Sequence, residues 1–193
     1  MASDSVATQS VPNLRFSHLG IYVQDLERME AFYTRALGFT VTDRGDASAQ
    51  GMRMVFLSRS PNDHHQIVLA SGRSDEPNAG SRIQHISFQM TSLDDLRGIL
   101  QRLETEGASR IFPANHGIAW SIYAQDPEGN PLEFFIDTEW YIKQPFLVPL
   151  DLTKTNDEIA RDTQAMCEGR EAYELYDAWR SRMAAKMTQF VER

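Results

Sequence analysis

Leu14 to Val23 alternates side chains with the period of a half-buried strand: Leu19, Ile21 and Val23 share one face, and His18, Gly20 and Tyr22 the other. Asp25 follows as a helix cap. Apolar positions then take helical spacing at Leu26, Met29, Phe32, Tyr33 and Leu37, and Gly38 ends the run. Strands are predicted over 39–43, 53–59 and 65–70. Ser71 to Ser81 is polar, bears Gly and Pro, and reads as a linker. The pattern then begins again. Arg82 to Met90 reads as a strand, and Ser92, three residues before Asp95, opens a helix in the manner of a capping box. Its stripe is Leu93, Leu96, Leu100 and Leu103, and Gly107 stops it. Strands fit 109–112, 119–125 and 131–136, so a β-α-β-β-β unit occurs twice.

The repeat is visible in individual residues. Phe16-Ser17-His18-Leu19 aligns with Ile83-Gln84-His85-Ile86 at an offset of 67 (85 − 18), and Leu26 aligns with Leu93 at the same offset. Two copies exclude a solenoid, and two sheet-forming halves facing each other are the natural solution. Residues 1–13, rich in Ser, Ala, Thr and Gln, read as a loose tail. From about 139 the composition shifts. Trp140-Tyr141-Ile142 and the prolines at 145 and 149 suggest an irregular strap. Thr155 with Glu158 forms another capping box. A longer helix from about 170 is expected to dock Ala172, Leu175, Tyr176, Trp179, Met183, Met187 and Phe190 on its own domain.

Composition narrows the classes. The chain has 193 residues, 41% of them apolar, which suits one domain with a real core and a small appendage. A net charge of −8 argues against nucleic acid as a partner, because phosphate binding needs clustered cations. One cysteine excludes a disulfide framework and a cysteine-based zinc site. The first residues lack the basic and apolar regions of a signal peptide, and no apolar run is long enough to span a membrane. A soluble, cytoplasmic protein is expected.

Five histidines then draw the eye, at 18, 64, 65, 85 and 116. A lone strand histidine is more often a satisfied core or surface group than a ligand. His18 and His85, however, occupy identical places in the two repeats. In the last strand Leu132, Phe134 and Ile136 share one face while Glu133 points the opposite way, among apolar neighbours. A buried, unpaired carboxylate neutralises or costs several kcal/mol, on the order known for unpaired charges, and a divalent cation removes that cost. Two imidazoles and one carboxylate with open positions are the ligand set of non-haem iron(II) oxygenases. His18, His85 and Glu133 are the candidate set.

With these residues in view, positions 14 to about 137 resemble the vicinal oxygen chelate superfamily, which includes glyoxalase I and the fosfomycin and bleomycin resistance proteins. Ser17-His18-Leu19-Gly20-Ile21-Tyr22-Val23-Gln24-Asp25-Leu26 is similar to its first strand and helix start, as are Phe32-Tyr33 and Leu37-Gly38-Phe39. Asp126-Pro127-Glu128-Gly129-Asn130-Pro131-Leu132-Glu133 is similar to its closing hairpin. Three further segments resemble type I extradiol catechol dioxygenases: Asn62-Asp63-His64-His65, Asn115-His116-Gly117 and Ser121-Ile122-Tyr123.

The resemblance implies an α+β fold: two βαβββ modules (14–71 and 82–138) forming a curved mixed sheet around a metal site. A C-terminal strap and helices occupy 139–193. It implies iron(II) on His18, His85 and Glu133, with manganese(II) compatible with the same set. His65 would be the acid–base group, and Tyr123 and His116 would orient substrate and stabilise charge. Either His64 or His65 could face the metal, and both could instead be exposed turn residues. The implied partners are a small aromatic diol and O2, and the chain is expected to be a homo-oligomer. The common form of that family has an inactive domain before the catalytic one, and only one such domain is present here. Two other readings stay open: a glyoxalase-like isomerase or lyase, with His65 as a fourth ligand, and a non-enzymatic small-molecule binding or resistance protein.

Overall fold

A computed structural model describes residues 15–47, 51–74 and 83–191. The expected tail (1–13) and most of the expected linker lie outside them. The first module runs β1 (Leu19–Val23), α1 (Leu26–Arg35), β2 (Thr40–Ala47), β3 (Met52–Ser58) and β4 (Ile67–Ser71). The second runs β5 (Ile86–Gln89), α2 (Leu93–Thr105), β6 (Ser109–Asn115), β7 (Ala119–Gln125) and β8 (Pro131–Asp137). The sheets have orders β1-β4-β3-β2 and β10-β6-β7-β8-β5, where β10 is Val148–Pro149. In each module the first strand pairs parallel with the last, while the remaining pairs of these two sheets are antiparallel. The repeat in the sequence is thus a repeat in strand order, giving mixed α+β architecture. No helix of the described residues is long and apolar enough to cross a membrane.

α1 and α2 begin where their caps place them. The Asp25 side chain accepts from Arg28 N at 2.9 Å, and Ser92 Oγ accepts from Asp95 N at 3.0 Å, each satisfying an amide the helix cannot pair itself. α1 buries Leu26, Met29, Phe32 and Tyr33, and α2 buries Leu93, Leu96, Ile99 and Leu103. Ile99 is buried in the α2 stripe, and the expected Leu100 is partly buried against the same core. These faces join Ile21, Val23, Leu57, Leu69, Ile122, Leu132 and Phe134 in one core that runs through both modules. Full burial of each such large side chain contributes about 1.5–3 kcal/mol.

The second module also holds the first helix at both ends. The Glu128 carboxylate, from the turn between β7 and β8, accepts from Gln24 N (2.9 Å) and Asp25 N (2.8 Å) at the entry to α1. Arg102 of α2 donates to Ala36 O at 2.9 Å and to Arg35 O at its exit. An anion thus sits at the positive end of the helix dipole and a cation at the negative end. Asp126, in the same turn as Glu128, is buried and accepts from the amides of Glu128 and Asn130 and from Asn130 Nδ2. Burial pushes its pKa up against those hydrogen bonds.

The C-terminal segment contains β9 (Trp140–Tyr141), β10, α3 (Asn156–Cys167), β11 (Glu174–Leu175) and α4 (Tyr176–Val191). The capping box of α3 forms as expected from Thr155 and Glu158. The long helix does not start near 170. Ala172 has a φ of 61°, and Glu174 and Leu175 pair with Tyr141 and Trp140, so helix begins only at Tyr176. Tyr141 stacks on Trp179 at 5.2 Å, which docks the first turns of α4. Leu175 and Met187 are exposed, so the expected apolar face is only partly covered.

Candidate metal centre

Strand register builds one face of the second sheet. Ser87 pairs with Glu133, Glu133 with Tyr123, and Tyr123 with Phe112. Directly opposed residues point to the same side of a sheet, so these four form a row. Ser121, two residues before Tyr123 in β7, lies on that face as well. His85 sits immediately before β5, two residues from Ser87. His116 lies in the turn joining β6 to β7.

Glu133 is the centre of this face. The residue is 9% exposed. Ser121 Oγ donates to Oε1 at 2.9 Å, and Ser87 Oγ donates to Oε2. His85 Nε2 is 3.3 Å from Oε2, and His116 Nε2 is 3.9 Å from Oε1. Burial alone would raise its pKa. The hydrogen bonds from Ser87, Tyr123 and Ser121, with the neighbouring His85 charge, outweigh burial and hold it below the usual carboxylate range. The group therefore stays ionised at neutral pH. Burial, reinforced by Glu133, pushes the Tyr123 phenol well up, so it stays protonated and acts as a donor.

His116 is fixed from two sides. Its Nδ1 lies 2.7 Å from Phe146 O, a group that can only accept, so Nδ1 carries the proton. In the singly protonated ring Nε2 is then the bare nitrogen, and it faces Tyr123 OH at 3.0 Å. The turn itself is narrow. Gly117 has a φ of 76°, and a Cβ there would stand 2.6 Å from Ile142 Cδ1.

His18 and His65 gather on the first module. Their ring centroids are 4.2 Å apart, and His64 Nδ1 is 2.9 Å from His65 Nδ1. Phe56 packs edge-on against both His64 and His65. Burial, then the charges of His18 and His64, lower the His65 pKa, so His65 is neutral at pH 7. Of the six expected site residues, the structure therefore brings His85, Glu133, Tyr123 and His116 together, and pairs His18 with His65 elsewhere. Among the described residues no three His, Cys, Asp or Glu side chains converge as a metal-holding group.

The donor pair itself suits a divalent cation. Two cis ligands at about 2.1 Å stand about 3 Å apart, close to the 3.3 Å between His85 and Glu133. A buried, ionised carboxylate beside an imidazole is also the right chemistry. Sequence reasoning missed Ser87, Ser121 and Gln144, whose amide donates to His116 O. Only strand register aims the two serines at Glu133.

The family model described as Glyoxalase/Bleomycin resistance protein/Dioxygenase superfamily matches residues 15–134. Biphenyl-2,3-diol 1,2-dioxygenase 3 of Rhodococcus globerulus is 28% identical over 127 residues, 64% of this chain and 63% of its own length. The chain thus spans under two thirds of that relative. The crystal structure of a glyoxylase/bleomycin resistance protein/dioxygenase domain from Frankia sp. EAN1pec superposes with a TM-score of 0.54 at 25% identity, covering 67% of this chain and 100% of that one. A fosfomycin resistance protein, FosX, from Listeria monocytogenes, solved with Mn(II), superposes at a TM-score of 0.50 and 21% identity, covering 63% of this chain and 91% of that one. That likeness bears on the fold.

Proposed function

We propose that this chain, which belongs to the glyoxalase/bleomycin resistance/dioxygenase superfamily, is an extradiol dioxygenase that cleaves a catechol-type diol with O2. The observation that carries the reading is the array of Glu133, His85, Tyr123 and His116 on one sheet face. A buried ionised carboxylate and an imidazole stand at metal-ligand spacing, beside a phenol–imidazole pair able to hydrogen-bond and orient an oxygen. Similarity to a biphenyl-2,3-diol dioxygenase supports the same reading.

His85 and Glu133, with His18 from the first module, would hold iron(II). When bound, iron(II) would supply open coordination positions for oxygen ligands and would make a bound diol more acidic. The protein's own groups do the rest. His65, neutral at pH 7, accepts the proton of a diol hydroxyl and later returns it. His116 Nε2 accepts the Tyr123 proton in a hydrogen bond, which leaves the phenol oxygen facing the site as an acceptor for a diol hydroxyl. Phe112, 41% exposed beside Tyr123, offers an aromatic wall for the ring. A small diol, O2 and other copies of this chain are the partners in this proposal, and the cytoplasm is its compartment.

Protein loaded with iron(II) without air, then mixed with catechol and with biphenyl-2,3-diol in air, is expected to form yellow ring-opened products. Iron-bound protein inert towards both would overturn the reading. The contact between His65 and His18 favours a second reading, a glyoxalase-like isomerase with His65 as fourth ligand. Four protein ligands in a metal-bound crystal structure would support it over the first.

A further inference from the structure

The strap after β9 does more than cover the second sheet. Gln144 Nε2 donates to the backbone carbonyl of His116 at 2.9 Å and to Ile142 O at 3.3 Å. Its Oε1 accepts from Phe146 N at 3.0 Å. Phe146 O in turn accepts from His116 Nδ1 at 2.7 Å. One amide side chain therefore closes a ring of hydrogen bonds that starts at the His116 backbone and returns to the His116 imidazole. Arg170 lies 4.2 Å over the Phe146 ring and seats the same segment from outside.

Chemistry gives this ring a purpose. A neutral imidazole exchanges between two tautomers, and the partner of one nitrogen decides the state of the other. A carbonyl held against Nδ1 forces the proton there. Nε2 then presents a lone pair to the Tyr123 hydroxyl, 3.0 Å away, and competes with Glu133 for that hydroxyl's one proton. If the Phe146 carbonyl drifted, Nε2 could take the proton, and it would then donate where it now accepts. The Tyr123 hydroxyl would lose its acceptor on the imidazole.

We infer that Gln144 is a positioning residue: it locks the His116 tautomer by fixing the Phe146 carbonyl, and so sets the direction of the Tyr123 hydroxyl. Gln144 reaches neither the Tyr123 hydroxyl nor Glu133 itself. It acts only through His116. The kinetic part of this inference rests on the dioxygenase reading, and the tautomer part stands without it.

The test uses the full chain with Gln144→Met, which keeps the side chain's length and removes both hydrogen-bonding atoms. Gln144→Glu serves as a second variant that keeps the acceptor for Phe146 N and loses the donor. Nitrogen-15 shifts of the His116 ring, read in metal-free protein, should show the Nδ1–H form dominant in the wild type. In Gln144→Met its preference should fall about tenfold, the usual worth of one hydrogen bond. Gln144→Glu should fall between. In iron-loaded protein, kcat on catechol should drop about tenfold with KM unchanged, and Gln144→Met should cost nothing further in a His116→Phe background. Folded variants that both keep the wild-type His116 tautomer would overturn the inference. An inactive wild type would fail the dioxygenase reading instead, and the tautomer shift would still decide this one.

Discussion

Ser121→Ala removes one donor from the Glu133 carboxylate and little else. Ser121 is fully buried, and its hydroxyl reaches Oε1 at 2.9 Å. A hydrogen bond to a charged group contributes about 1.5–3 kcal/mol, and Ser87 and Tyr123 remain to solvate the carboxylate. The variant should therefore fold, with stability at pH 7 lower by about that amount. The sign of the pH dependence follows from the depressed Glu133 pKa. A carboxyl whose pKa is lowered by folding contributes stability that is present above its unfolded pKa, about 4.3, and is lost as pH falls through the folded value. Removing Ser121 moves the folded pKa back up, so that contribution shrinks. The gap between wild type and variant should be widest at neutral pH and narrow as Glu133 protonates. Urea unfolding of metal-free protein from pH 3 to pH 7, with a carbon-13 titration of the Glu133 carboxyl, measures both quantities. A Glu133 titration that does not move, or a stability gap independent of pH, would refute the account of how this carboxylate is kept charged.

Other consequences reach further from the carboxylate. Gly117→Ala forces a Cβ to within 2.6 Å of Ile142 Cδ1 at a positive φ, so thermal unfolding should show a loss of about 1–3 kcal/mol. The same variant should broaden the His116 ring signals. Glu128→Ala strips the entry of α1 of its anion and leaves the Gln24 and Asp25 amides without that partner. A loss of about 1–3 kcal/mol is expected, with faster amide exchange at residues 24 and 25. An unchanged exchange rate there would show that the modules are not held through this carboxylate.

Much of the architecture was legible because it rests on local rules. The caps at Asp25, Ser92 and Thr155 engage the amides their spacing implied. The matching positions of His18 and His85 mark matching starts of β1 and β5. What periodicity could not supply came from contacts distant in sequence. The stripe from Ala172 to Met187 has helical spacing, yet pairing of Glu174 with Tyr141 keeps its first residues extended. Ser87 and Ser121 are ordinary polar positions until register aims them at Glu133. Gln144 lies in an irregular strap, where no period operates and only the fold brings it to His116. His18 fits a three-ligand pattern on paper, while its ring lies against His65.

The centre of the account is a divalent metal held through Glu133 and the two repeat-related histidines. Calorimetric titration of metal-free protein with iron(II), without air, tests it directly. One tight site is expected in the wild type, with its loss in Glu133→Ala and in His85→Ala and strong weakening in His18→Ala. Wild-type iron affinity in Glu133→Ala would contradict the account.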